Sequence, residues 1–152
     1  MMRGFFLRKS EAMQTKNIPT RILHTMLRVK NLQKSLNFYV NILGMTLQRK
    51  TDYPDGRFTL AFIGYELETT ATVLELTYNW DADDYDKGTA YGHIALAVVD
   101  IYGLCDALKT QGIAIIRPPA PMAFDKNEII AFITDPDDYH IELIEKQTVV
   151  DL

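Results

Sequence analysis

The chain has 152 residues, 47% of them hydrophobic and 24% charged, which suffices for one globular core or for two small modules sharing one. Its formal net charge of −4 comes without the clustered Lys and Arg that a nucleic-acid surface needs, so no nucleic-acid partner is expected. A single cysteine, Cys105, excludes an internal disulfide and paired-cysteine zinc binding, and it suits a reducing, cytoplasmic setting with buried packing as its role.

Residues 1–20 are basic and contain an apolar run, FFL, far too short for a signal core or a membrane span, so they read as a flexible extension with no membrane partner. A first module is expected over 21–80. Its opening strand runs from about 21 to 29, and Asn31 caps a helix whose Leu32, Leu36, Tyr39 and Leu43 share one face before Gly44 ends it. Strands near 45–51, 57–64 and 71–79 follow as a meander, separated by the turn YPDG at 53–56 and the polar loop YELETTA at 65–71. A linker, 81–89, holds the solvated acidic run DADDYDKG. The second module, 90–146, repeats the order: a strand at 91–98, a helix at 100–111, strands near 113–117, 128–134 and 139–146, and DPDD at 135–138 as the last turn. Residues 147–152 form a tail. The fold class is α+β, two tandem βαβββ modules.

The modules look like copies of one another. LHTMLRVKNLQKSLNFYVNILGM, 23–45, has its counterpart in GHIALAVVDIYGLCDALKTQGI, 92–113. His93 stands 69 residues after His24, and the helix caps Asn31 and Asp100 keep that offset. AFIG at 61–64 answers AFIT at 131–134, and LEL at 74–76 answers IEL at 141–143, setting Glu75 against Glu142.

Strand alternation puts His24, Met26 and Arg28 on one face, and Val73, Glu75, Thr77 and Asn79 on one face of their own strand. A glutamate held within LEL or IEL is costly if buried alone, because an unpaired carboxylate in a low-dielectric interior takes up a proton or finds a partner. Singly, a strand histidine is more often a hydrogen-bonded core or edge residue, and a strand glutamate more often faces solvent. Packing gives no reason for a duplication to keep a His in both first strands and a Glu in both last strands. His24, Glu75, His93 and Glu142 are therefore the expected ligands of a divalent cation. Two nitrogens, two carboxylates and no thiolate suit nickel, cobalt, manganese, iron or zinc with open positions for water or substrate. His140 has no counterpart and reads as a surface or hairpin residue.

LHTMLRV (23–29), NFYVNILGM (37–45), LAFIGY (60–65), VLELTYNW (73–80), GTAYGHIAL (88–96) and IAFITDPDDYHIELIE (130–145) resemble segments of the glyoxalase I, or lactoylglutathione lyase, family of the vicinal-oxygen-chelate superfamily. The short loops resemble the compact bacterial members, which implies Ni2+ ahead of Co2+, and either ahead of Zn2+. The resemblance further implies a homodimer whose active sites lie at the interface, where His24 and Glu75 of one chain meet His93 and Glu142 of the other. The implied reaction isomerises the hemithioacetal of methylglyoxal and its co-substrate glutathione to S-lactoylglutathione. Glu142 would be the principal catalytic base, and Glu75 would act on the other enantiomer. His93 would also touch substrate, with Arg28 and Asn79 gripping the γ-glutamyl end.

Two departures stand out. The family's glycine-rich, basic loop is replaced by PAPMAFDKNE, 119–128, without glycine, so that either Lys126 takes the glycine carboxylate or another thiol serves. The final glycine of the family's DPDG turn is Asp138. Rival readings on the same fold are a metal-dependent thiol transferase for fosfomycin, an extradiol dioxygenase and a metal-free drug-binding module. A fourth ligand opposes the first two.

Overall fold

The computed structural model describes residues 18–147; the expected extension before 18 and the tail after 147 lie outside the described residues. The first sheet is built from β1 (His24–Arg28), β2 (Thr46–Tyr53), β3 (Phe58–Gly64) and β4 (Val73–Asn79) in the order β1-β4-β3-β2. The second contains β5 (Ile94–Val98), β6 (Ile115–Pro121), β7 (Ile129–Thr134) and β8 (His140–Glu145) in the order β5-β8-β7-β6. In each, three antiparallel strands form a meander and the first strand lies parallel to the last, which is the topology of a βαβββ module. A parallel pair needs a crossover, and the helix between the first two strands of each module supplies it.

Helix α1 (Leu32–Leu36) starts at Asn31, whose side chain accepts a hydrogen bond from Lys34 N–H; α2 (Ile101–Thr110) starts at Asp100, which accepts one from Gly103 N–H. Gly44 and Gly112, at φ +75° and +76°, turn the chain out of each helix in the left-handed region that glycine enters without strain. The single α-helical period expected from Leu32 to Leu43 does not hold. After one turn the chain passes into a π-helical stretch, Asn37–Ile42, with Leu43 N–H bonded to Phe38 C=O. The wider turn buries the adjacent Phe38 and Tyr39 together, edge to face at 5.0 Å, while Leu36 and Leu43 are only half-buried. A burial requirement of two neighbouring aromatics overrides the 3.6-residue repeat.

One apolar core serves both modules. Leu27, Phe38, Ile63 and Leu76 of the first join Ile101, Cys105, Leu108 and Leu143 of the second in a continuous buried cluster. Leu27 pairs with Leu76 across β1 and β4, as Leu96 does with Leu143 across β5 and β8, so each sheet presents the same side to this core. Strand β6 runs on to Pro121, past the expected end at 117; its prolines are tolerated at a sheet edge, where it carries two register shifts. Among the described residues no helix is long and apolar enough to cross a membrane.

A polar latch also ties the modules. The Tyr39 hydroxyl donates to Asp135 Oδ2 at 2.8 Å, while Asp137 N–H and Tyr139 N–H donate to Asp135 Oδ1 at 2.9 and 2.8 Å. The Tyr139 hydroxyl reaches the carbonyl of Arg28 at the end of β1, and Asp137 accepts from Lys30 N–H. Asp138 closes this turn at φ +62°, a conformation that aspartate tolerates in the place of glycine.

Candidate metal centre

The four expected ligands lie on the sheet faces opposite the core, since Leu76 and Leu143, the strand neighbours of Glu75 and Glu142, are buried in it. Because β1 and β4 run parallel, with Met26 opposite Glu75, His24 comes within reach of a residue 51 positions later. Its Nε2 lies 3.0 Å from Glu75 Oε2. In the second sheet Ala95 lies opposite Glu142, and His93 Nε2 stands 2.9 Å from Glu142 Oε2. Both glutamate side chains are 13% exposed while the histidines remain open to solvent, so each pair sits at a surface with its carboxylate recessed.

The correspondence extends beyond the four expected ligands. Glu75 is opposite Phe62 on β3, and Phe62 is opposite Arg49 on β2; Glu142 is opposite Phe132 on β7, and Phe132 is opposite Arg117 on β6. Each phenyl ring meets its histidine edge-on, with centroids 5.5 Å apart and planes at 79° in both modules. Such contacts hold the imidazoles upright over the sheet. AFIG and AFIT mark the duplication in the sequence, and the Phe inside each is the signal there for this support. Arg49 lies over Phe62, 3.4 Å from its centroid, and its guanidinium grips Glu68 through two nitrogens, which holds that carboxyl below the usual carboxylate range. Arg117 instead donates to the carbonyl of Pro121, so the two rows differ at their outer ends.

Arg28 and Asn79 lie at the far end of the ligand-bearing face of the first sheet. Arg28, with Met26 and Tyr85, lines a cavity of about 230 Å³. Asn79 Nδ2 donates to the Tyr85 hydroxyl at 3.1 Å. Tyr85 belongs to the expected acidic linker, which is pinned rather than simply solvated: Asp81 pairs with Arg57, Asp84 with Lys30, and Lys87 donates to the carbonyl of Asp137. Lys126 is exposed on the turn between β6 and β7, and His140 is exposed at the start of β8.

Within one chain the four expected ligands form two separate pairs. Among the described residues no group of three or more His, Cys, Asp or Glu side chains gathers closely enough to hold an ion. Each pair supplies one imidazole nitrogen and one carboxylate oxygen, a donor set that suits a divalent transition metal when two pairs are brought together.

A family model described as the glyoxalase/bleomycin resistance protein/dioxygenase superfamily matches residues 21–143. The chain belongs to this superfamily. It is 58% identical over 128 residues to a lactoylglutathione lyase of Neisseria meningitidis serogroup B, covering 84% of this chain and 92% of that protein. Among solved structures, the trypanothione-dependent glyoxalase I of Leishmania major is 41% identical with a TM-score of 0.77, covering 88% of this chain and 91% of that one. Glyoxalase I of Zea mays is 42% identical with a TM-score of 0.80, covering 84% of this chain; the chain spans only 45% of that protein's length.

Proposed function

We propose that the protein is a lactoylglutathione lyase, a glyoxalase I that isomerises the hemithioacetal of methylglyoxal and glutathione to S-lactoylglutathione. The observation that carries this reading is the pair of matched His–Glu sites, His24 with Glu75 and His93 with Glu142, in a chain 58% identical to a lactoylglutathione lyase of nearly the same length. Each site offers two donors of a four-donor set, so the reading includes a homodimer in which one protomer's first module faces its partner's second. Four such groups would hold one divalent ion, with nickel favoured, then cobalt, then zinc. When bound, that ion supplies Lewis-acid stabilisation of charge developing on the substrate oxygens, on the order of several kcal/mol.

The chain's own residues carry the remaining steps. The reaction removes a proton from the hemithioacetal carbon and returns one to the neighbouring carbon, with no net oxidation. Glu142 takes and returns that proton, and Glu75 does so for the other enantiomer. His93 borders the reacting group, and Phe132 keeps its ring upright. Arg28 and Asn79 hold the γ-glutamyl end of glutathione, the guanidinium matching a carboxylate and the amide completing the grip. The reading takes 21–80 and 90–146 as the repeated modules, and a cytoplasmic setting agrees with the single buried thiol, Cys105.

The test is formation of S-lactoylglutathione from methylglyoxal and glutathione by chelated protein restored separately with nickel, cobalt and zinc. Metal-dependent product is expected. Absence of product with every ion refutes the assignment.

A further inference from the structure

Glu75 and Glu142 occupy equivalent places in the two modules, yet their second carboxylate oxygens meet different neighbours. Thr77, two residues after Glu75 on the same face of β4, donates from Oγ1 to Glu75 Oε1 at 2.9 Å. The other oxygen, Oε2, faces His24. Glu75 therefore has a partner at each oxygen, and the donor is only 9% exposed, so water competes poorly for it. Two residues after Glu142 the chain carries Ile144, which has only methyl and methylene groups to offer. The final torsion of a glutamate is broad and two-fold unless both oxygens are engaged. Among the described residues, the duplicated site thus contains one carboxylate held at both oxygens and one held at a single oxygen.

We infer that Thr77 is a positioning residue that holds Glu75 more firmly on the proposed centre and so makes it the slower of the two bases, whereas Ile144 leaves Glu142 free to turn away and back. This inference rests on the proposed metal site and explains why twin carboxylates would not share the work equally. A purely structural Thr77 would support the strand without affecting metal binding, and the two roles separate in a measurement that needs no turnover.

The test uses the full chain and three variants, Thr77→Val, Thr77→Ser and Ile144→Thr, each checked for fold by circular dichroism, with Co2+ titrated by calorimetry and turnover followed separately. Loss of one hydrogen bond to a charged group should weaken Co2+ binding in Thr77→Val by roughly 10- to 100-fold. Thr77→Ser keeps the hydroxyl and should bind within about threefold of wild type, since the donor is retained. Ile144→Thr gives Glu142 the same clamp, and should bind Co2+ at least as tightly while turnover falls by about tenfold or more. Wild-type affinity in a folded Thr77→Val, or unchanged turnover in Ile144→Thr, overturns the inference. Should Thr77→Val not fold, Ile144→Thr alone decides in the same way. A wild-type protein that binds Co2+ without forming product defeats the proposed reaction alone, and the Thr77→Val titration still judges the clamp; one that binds no Co2+ defeats both.

Discussion

Replacing Tyr39 by Phe deletes one oxygen from the latch between the modules and leaves everything else in its place. The ring stays edge-on against Phe38, so no cavity opens. What is lost is the 2.8 Å hydrogen bond to Asp135 Oδ2, between a tyrosine 1% exposed and an aspartate 4% exposed. Asp135 Oδ1 keeps its two backbone donors. A bond to a charged, buried acceptor contributes about 1.5–3 kcal/mol, and for a chain of this size that shifts Tm by about 3–12 °C. Urea unfolding of both proteins measures the difference, with the m-value unchanged because the same surface is exposed.

The pH dependence sharpens the test. Burial pushes the Asp135 carboxyl above the ordinary carboxylate range, and the hydrogen bonds from Tyr139 N–H, Tyr39 and Asp137 N–H only partly pull it back. A value raised in the folded state means a stability contribution that is full below the ordinary range and is lost as pH rises through the raised value. The Tyr39 hydroxyl bond favours the ionised form, so the deficit of Tyr39→Phe should be smallest in acid and reach its full size above that titration. A deficit below about 0.5 kcal/mol, or one that does not grow as pH rises through the Asp135 titration, would refute this account of the latch.

Glu142→Gln keeps shape while removing a proton acceptor; turnover should fall by about 10²- to 10⁴-fold with the circular dichroism spectrum unchanged, and a wild-type rate would contradict the assignment of the base. Leu76→Ala, at a fully buried position opposite Leu27, should cost about 2–5 kcal/mol in urea unfolding, and a loss under about 1 kcal/mol would mean that the shared core closes over the gap.

The repeated pattern was legible because duplication copies local chemistry. Asn31 and Asp100, Gly44 and Gly112, and the alternation around His24, Glu75, His93 and Glu142 each depend on a few adjacent residues, so they can be read in order along the chain. Helix caps, left-handed turns and strand faces are decided within a few positions, before any distant contact forms.

Tertiary structure alone decided which distant groups touch. The pairing of β1 with β4 and of β5 with β8 brings each imidazole to its carboxylate, and cross-strand register sets Phe62 and Phe132 against the histidines. Burial of Phe38 beside Tyr39 forced a π turn that no helical period announces. The Tyr39–Asp135 bond and the Tyr139 reach to Arg28 span 96 and 111 positions. Such contacts are selected by the free energy of the whole packed chain rather than by the preferences of neighbours, and for that reason composition and spacing could name the residues without stating who meets whom.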